Sequence, residues 1–121
     1  MSYDIRISVK VADAKDRDGN DIYAVIARPE HDSPTYNLRD MFVNCMDWDY
    51  KQSEYYKCSE IIDKINHGIK ELRTKRNEYI KYNSPDGWGT IDSAINALES
   101  SRDCIYEQSE YIPIDCLYFN W

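Results

Sequence analysis

The stretch of sequence best suited to holding a ligand is the turn 82–89, which reads Tyr-Asn-Ser-Pro-Asp-Gly-Trp-Gly. Two glycines flank a tryptophan there, so the backbone can bend tightly while the indole is held in one direction. Thr90 then begins a predicted helix, whose free N–H groups favour an anion. The pattern predicts a pocket wall in which Trp88 and Tyr82 stack a planar group. The candidate binding residues in the turn are Tyr82, Asn83, Asp86 and Trp88.

The same turn also has a structural interpretation, in which Trp88 fills the core between two helices. Tryptophan is highly buried on average, and at a turn bounded by glycines its large ring mostly serves packing. We therefore expect the packing role, and the binding role is the alternative. The exposure of Trp88 and the charge around it distinguish the two.

A second set of candidate binding residues, Tyr36, Asn37 and Arg39, lies where the first predicted helix begins. A tyrosine and an asparagine at a helix start can present polar tips to a ligand, and Arg39 would supply the positive charge that a phosphate prefers. Capping of the helix by Asn37, or by Thr35, explains these residues more simply. We expect capping.

Asp47 and Asp49 come closest to a catalytic or metal-binding pair. Two carboxylates are the minimum for holding a divalent metal ion or for acid–base work. Carboxylates two residues apart share a face only in an extended segment, and no His or third acid follows at a useful spacing. An acidic loop explains the pair better, so an enzyme that uses Asp47 and Asp49 with a metal ion is the least favoured hypothesis.

The spacing of ligands argues against two other metal sites. If Gly19 in the turn 13–20 is the sixth position of a calcium loop, Ala14 falls at the first ligand and Val25 at the bidentate glutamate. We expect an ordinary turn. The cysteines include no C-x-x-C pair, and neither histidine has zinc-finger spacing. We predict no metal ion and no cofactor, and the sequence has no nucleophile elbow or glycine-rich phosphate loop.

Length and composition predict a single domain, residues 1–121. Because no catalytic constellation is found in the sequence, we expect this domain to bind and not to catalyse. The chain has 11 Tyr and 3 Trp against 2 Phe, and such rings suit half-buried positions and contact surfaces. The net charge of −7 disfavours binding along nucleic acid. The basic segment 64–81 and the acidic segment 99–115 are expected to be solvated helix faces. Without a signal peptide or a membrane-spanning run, we expect a cytoplasmic protein with reduced, mostly buried cysteines.

Apolar periodicity predicts an α+β fold. Residues alternate over 3–11, which predicts a half-buried strand, and 22–27 is its hairpin partner. Helical apolar stripes follow, with Ser59 and Thr90 as predicted N-caps. The aromatic segment 116–121 is predicted to add a strand to the hairpin, giving a small antiparallel sheet packed against about three to four helices. As an edge strand it would also be able to pair with a second copy, so a homodimer is a further expectation.

The turn 82–90, together with Tyr36-Asn37-Leu38 and the strand that starts at Tyr3-Asp4-Ile5, resembles a group of small phage and prophage proteins of Gram-positive bacteria. In that group a similar Asn-Pro-Pro-Asn-Gly-Trp-Gly turn joins two helices. This chain departs from the pattern with Ser84 and Asp86, where the group has Pro and Asn. The resemblance implies a phage context and supplies no site.

That context implies a binding function in the cytoplasm of a host cell. Small acidic phage proteins without catalytic residues often inhibit bacterial antiviral defence, either by covering a protein surface or by sequestering a nucleotide signal. The leading expectation is an inhibitor that acts on a defence component by protein–protein contact. The alternative is a small-molecule binder that captures a nucleotide with Tyr36, Arg39, Tyr82 and Trp88.

Overall fold

The computed structural model of the chain describes residues 1–51 and 53–121. Its strands are β1 (Arg6–Lys15), β2 (Asp21–Ala27), β3 (Tyr56–Lys57) and β4 (Leu117–Asn120). Its α-helices are α1 (Arg39–Met46), α2 (Cys58–Thr74), α3 (Arg76–Tyr79) and α4 (Ile91–Ser109). Short 3-10 turns occur at Tyr36–Leu38, Ile80–Tyr82 and Ile114–Cys116. The predicted α+β fold is confirmed.

The strands form one antiparallel sheet in the order β2-β1-β4-β3. β1 and β2 make the expected hairpin, and β4 lies along the other side of β1, where Ile7 pairs with Phe119 and Val9 with Leu117. The prediction that the C-terminal segment joins the hairpin is therefore confirmed. The expectation that it forms a sheet edge is wrong, because β3 covers its outer side and pairs Tyr56 with Phe119.

The first residues of the chain are extended, but they pair with a loop instead of with the hairpin. The N–H of Tyr3 donates to the carbonyl of Pro34 at 2.8 Å, and the N–H of Ile5 donates to the carbonyl of Asp32 at 2.8 Å. β1 consequently begins and ends later than the predicted segment 3–11. The pairing also holds the loop that follows β2 against the N-terminal residues.

The helices bury the apolar stripes that the sequence predicts, and α2 lies between α1 and α4. The buried residues of the stripes are Ile61, Ile62, Ile65, Ile69 and Leu72 in α2, and Ile91, Ala94, Ile95, Leu98 and Ile105 in α4. Gly68 permits the close packing, because a Cβ there would lie 2.7 Å from Met46 Cγ and 3.1 Å from Leu98 Cδ1. No helix in the described part of the chain combines the length and apolarity needed to cross a membrane.

The two predicted helix caps have different outcomes. Thr90 caps α4 as expected, since its hydroxyl oxygen accepts a hydrogen bond from the N–H of Ser93 at 3.2 Å. The prediction that Ser59 caps α2 is wrong. The N-cap position belongs to Lys57, which makes no side-chain capping bond, and the helix has already begun at Cys58. The reason is that β3 runs directly into α2 with no loop between them.

Aromatic side chains build an internal cluster around Trp121. The rings of Tyr50, Tyr3 and Phe42 lie 4.2, 5.0 and 5.2 Å from its indole, centroid to centroid. The hydroxyls of Tyr3 and Tyr50 share a buried hydrogen bond of 2.6 Å. Burial raises the pKa of both tyrosines. Part of the aromatic content that suggested a contact surface is therefore core.

The basic segment 64–81 makes two ion pairs with α4, one of them with the acidic segment 99–115. Arg73 pairs with Glu99 at 2.6 Å, and Arg76 pairs with Asp92 at 2.8 Å. All four side chains keep part of their surface in solvent. Such exposed pairs contribute at most about 1 kcal/mol each, so they orient the helices more than they stabilise them.

The cysteines are free thiols, and three of them are buried. Burial raises the pKa of Cys45 and Cys58 to about 12 and that of Cys104 to about 11. Cys116 is exposed. Because the thiolate is the reactive form, the three buried thiols are chemically inert at neutral pH.

Candidate functional site

The turn 82–89 is held in shape by its own hydrogen bonds. Asp86 Oδ1 accepts from the hydroxyl of Ser84 at 2.5 Å and from the N–H of Trp88 at 2.9 Å. The N–H of Ser84 donates to the carbonyl of Gly89 at 3.0 Å and closes the loop. The hydrogen bond from Ser84, followed by that from Trp88, lowers the pKa of the Asp86 carboxyl. The turn is therefore a preorganised structure that keeps Asp86 ionised.

Two asparagines fasten this turn to the helices on either side. Asn83 Oδ1 accepts a hydrogen bond from the N–H of Ile91 at 3.0 Å, which satisfies a free donor at the start of α4. The side-chain amide of Asn37 donates to the carbonyl of Trp88 at 3.0 Å. Gly89 lets the backbones approach, because its φ is +108° and a Cβ there would lie 3.1 Å from Thr35 Cγ2.

The indole of Trp88 points into solvent, with 69% of the residue's surface exposed. The expectation that Trp88 fills the core between two helices is therefore wrong. Leu38 and Ile91, both fully buried, fill the space behind the turn. The backbone of Gly89 packs against Leu38, with the position of its Cβ 3.4 Å from Leu38 Cδ2, so the turn itself closes the core and the ring is left outside.

An open cleft of about 700 Å³ lies beside the exposed ring. Its walls are the N-terminal residues, the loop after β2, the turn and the first two turns of α4. The lining residues are Met1, Ser2, Glu30, His31, Asp32, Ser33, Pro34, Thr35, Gly87, Trp88, Gly89, Ser93, Asn96 and Ala97. Among these described residues there is no Lys or Arg, whereas Glu30 and Asp32 bring two carboxylates. The cleft is mildly acidic.

The cleft was only partly foreseeable from the sequence. Ser93, Asn96 and Ala97 lie three and four residues apart at the start of α4, so helical periodicity beside Trp88 could have found that wall. The opposite wall, 30–35, could not be found in this way. It depends on the bonds that tie the loop after β2 to the N-terminal residues.

Tyr82 does not join Trp88 in this cleft. It lies in another depression, which Asn44, Asn77, Glu78, Tyr79 and Lys81 also line. Its ring is 6.2 Å from that of Tyr79, and the ammonium of Lys81 is 5.2 Å from its centroid. The predicted clamp of Tyr82 and Trp88 around a planar group is therefore wrong. Tyr82 is the last residue of the 3-10 turn Ile80–Tyr82, and its ring and that of Trp88 line different depressions.

Tyr36 and Arg39, the candidate binding residues near the start of α1, make contacts with other parts of the protein. The ring of Tyr36 packs edge-on against Tyr3 at 4.7 Å. The guanidinium of Arg39 lies 5.4 Å from the Tyr50 ring centroid and pairs with Asp49 at 3.5 Å. Neither residue lines the Trp88 cleft.

Capping at the start of α1 also differs in part from the prediction. Thr35 Oγ1 accepts from the N–H of Asn37 at 3.3 Å, so Thr35 caps the 3-10 turn Tyr36–Leu38 that leads into α1. The N-cap position of α1 itself is Leu38, which makes no side-chain capping bond. The expectation that Asn37 caps this helix is wrong, because its side chain reaches across to the turn instead. Three of the predicted binding residues therefore stabilise the turn by hydrogen bonds, namely Asn37, Asn83 and Asp86. Trp88 is the predicted binding residue that this turn exposes to solvent.

Asp47 and Asp49 do not form a joint site. Asp47 ends α1 with a left-handed backbone, φ 51°, and its carbonyl accepts from the ammonium of Lys64 at 3.0 Å. Asp49 pairs with Arg39. Nowhere in residues 1–51 and 53–121 do three His, Cys, Asp or Glu side chains gather as a metal site would require.

The acidic turn between β1 and β2 is stabilised by its own side chain. Asp16 Oδ1 accepts from the N–H groups of Asp18 at 2.8 Å and Asn20 at 2.9 Å, and Gly19 adopts φ +82°. The bond from Asn20 is the main cause that lowers the pKa of Asp16. The carboxylate is thus engaged by backbone donors, as the turn interpretation expected.

No known protein family, curated protein or solved structure matches the chain. The resemblance to small phage proteins therefore stays a prediction.

Proposed function

We propose that the protein is a non-enzymatic binding protein whose contact surface is the Trp88 cleft and whose partner is another protein. The exposed indole carries the proposal, because 69% of Trp88 lies in solvent on a turn that hydrogen bonds hold rigid. Tryptophan is strongly enriched among the residues that dominate protein–protein affinity. A rigid anchor also loses little conformational entropy on binding, which favours affinity.

The charge of the cleft favours a protein over a nucleotide. A nucleotide phosphate would meet Glu30 and Asp32, and the described lining residues offer no Lys or Arg to neutralise it. Arg39 and Tyr82, which were expected to complete a nucleotide site, lie elsewhere. Sequestration of a nucleotide signal is therefore the weaker alternative. Native mass spectrometry of the freshly purified protein would detect a bound nucleotide directly.

We further propose that the partner is a component of bacterial antiviral defence and that binding inhibits it in the host cytoplasm. The support is the resemblance of the turn 82–90 to small phage and prophage proteins, together with the net charge of −7. An acidic surface with an aromatic anchor is suited to covering a basic surface on another protein. Inhibition would then follow from occlusion and would need no chemistry.

The test pairs capture with an infection assay. Tagged protein is expressed in a Gram-positive host that carries a defence system, and captured partners and phage plating are both measured. We expect one defence component to be captured and plating to be restored, and both effects to be lost in Trp88→Ala. Tyr111→Ala is the matched control, because Tyr111 is 80% exposed and does not line the cleft.

Two results would count against the proposal. If Trp88→Ala captures the same partner as the wild type, the cleft is not the contact surface. If no defence system tested is relieved while a nucleotide co-purifies with the protein, the sequestration alternative is supported instead.

A further inference from the structure

The cleft beside the exposed indole continues into a second depression along α4. The cleft of about 700 Å³ and the neighbouring depression of about 350 Å³ share Glu30, His31 and Asn96 in their linings. Together they form one groove, the α4 groove, between the loop after β2 and residues 93–107 of α4. The N–H of His31 donates to Ser100 Oγ at 3.2 Å and fixes the loop to the helix. The fold therefore holds both walls of the groove in place.

The α4 groove has the length and the lining for an extended peptide. At the rise of an α-helix, residues 93–107 span about 21 Å. About six residues of extended chain cover that distance. Ala97 and Cys104 line the groove and are buried, so part of its lining is apolar. The aliphatic stems of Lys and Arg pack on apolar surface of this kind while their charged ends stay in water.

The charge of the α4 groove is negative. Five carboxylates line it, those of Glu30, Asp32, Glu99, Asp103 and Glu107. The cations that line it are Arg28, which already pairs with Asp4, and the amino group of Met1. Carboxylates thus outnumber cations, and a segment of opposite charge is complementary to the groove.

Three of the five carboxylates are not engaged within the chain. Arg102 pairs with both Glu99 and Asp103. No Lys, Arg or His side chain in residues 1–51 and 53–121 forms an ion pair with the other three, Glu30, Asp32 and Glu107. These three are therefore the carboxylates available to cations of a partner.

Glu107 also lies where its own helix disfavours a carboxylate. It is in the last turn of α4, which ends at Ser109 and contains no basic residue. The carbonyl end of a helix carries partial negative charge, so it repels a carboxylate and attracts a cation. A cation supplied by a partner would relieve this repulsion.

We propose that the α4 groove binds an extended segment of the partner that is rich in Lys and Arg. The inference rests on the proposed function, because the segment belongs to the protein that Trp88 contacts. At one end the indole of Trp88 offers its face to a guanidinium or an ammonium. Glu30 and Asp32 follow, and Glu107 receives a cation at the far end. The pattern of charge along the segment would then select the partner.

A fluorescein-labelled hexa-arginine peptide tests the charge of the groove. Fluorescence anisotropy at about 150 mM salt, where long-range attraction is screened, should show saturable binding to the wild type. The groove variant carries Glu30→Gln, Asp32→Asn and Glu107→Gln. Its dissociation constant for the peptide should be roughly tenfold higher, because three ion pairs are lost.

The matched control variant carries Asp18→Asn, Asp63→Asn and Glu78→Gln. It loses the same charge from exposed carboxylates that lie outside the groove, so it should bind the peptide like the wild type. No binding of hexa-arginine to the wild type, or equal losses in the control and groove variants, would overturn the proposal.

Glu107→Gln alone separates binding from support of the fold. Its urea midpoint should rise, because the repulsion at the end of α4 is removed, while its affinity for hexa-arginine falls. A lower midpoint would show that Glu107 supports the fold and would overturn its role at the far end of the groove.

Capture of the natural partner distinguishes this inference from the proposed function. Both the groove variant and Trp88→Ala should lose the partner. If capture is lost in Trp88→Ala but kept in the groove variant, the contact through Trp88 stands and the basic segment is refuted. If Trp88→Ala keeps the partner, the proposed function itself fails.

Discussion

The side-chain amide of Asn37 donates a hydrogen bond of 3.0 Å to the backbone carbonyl of Trp88, across 51 residues of sequence. The bond joins the start of α1 to the turn that carries the exposed indole. Asp86 holds the same residue from the other side, through the N–H of Trp88. Asn37 and Asp86 therefore fix the position of the Trp88 backbone, and they can do so without contacting a binding partner.

Asn37→Ala should loosen the turn more than it destabilises the fold. The Trp88 carbonyl can bind water in its place, so we expect a loss of about 0.5–1 kcal/mol in the free energy of unfolding. Amide hydrogen exchange over 84–89 should become faster. Asn66→Ala is the control, because Asn66 also donates from its side chain, to the Tyr106 hydroxyl at 3.1 Å. Equal exchange in the two variants would mean that Asn37 does not hold the turn.

The two glycines that flank Trp88 are predicted to tolerate alanine differently. Gly89→Ala adds a Cβ at φ +108° that would lie 3.1 Å from Thr35 Cγ2, whereas a Cβ at Gly87 meets nothing within 4 Å at φ +80°. We expect Gly89→Ala to lower the free energy of unfolding by about 2–3 kcal/mol, because backbone strain and a steric clash act together. Gly87→Ala should lower it by about 1 kcal/mol, because only the backbone strain is present. Urea unfolding measures both. Equal losses would show that the contact with Thr35 is relieved by small movements.

Gly68→Ala tests the packing of the helices. Alanine favours a helix over glycine by about 1 kcal/mol, but its Cβ would lie 2.7 Å from Met46 Cγ. Overpacking a core costs about 1–3 kcal/mol, so the variant should be less stable than the wild type in urea unfolding. In the background of Met46→Ala, which removes the nearest clashing atom, the same substitution should cost less stability, because the approach of 3.1 Å to Leu98 Cδ1 remains. A stabilising effect in the wild-type background would contradict the close packing at Gly68.

The sequence predicted the elements whose pattern is local. Alternation and helical periodicity identified the hairpin and the buried stripes of α2 and α4, and Thr90 was recognised as a cap because its partner is three residues away. The prediction that Ser59 caps α2 was wrong because β3 leads straight into the helix, and the residue type of Ser59 does not reveal this.

The candidate site depended on contacts that no local pattern contains. Trp88 was expected in the core, whereas its exposure follows from the fit of Gly89 against Leu38, far away in sequence. Tyr82 was paired with it by proximity along the chain, although a 3-10 turn directs Tyr82 to another surface. The acidic wall 30–35 is brought to the cleft by bonds to the N-terminal residues.

Alkaline pH should destabilise the fold through its buried thiols. The pKa of Cys58 is raised by burial from its ordinary value of 9.0 to about 12, and that of Cys45 likewise. The unfolded chain therefore releases these protons first. The stability they contribute is fully present below about pH 9 and is lost as pH rises toward 12, by up to about 1.4 kcal/mol per pH unit for each thiol. Tyr50, whose pKa burial also raises, acts in the same direction.

Urea unfolding at several pH values from about 7 to 11 measures this slope. Cys58→Ser should make the fall in stability above pH 9 shallower, because the serine hydroxyl does not ionise in that range. Cys116→Ser, which changes an exposed thiol, should keep the wild-type slope and serves as the matched control. If all three proteins lose stability with the same slope, the buried Cys58 thiol is not what couples folding to alkaline pH.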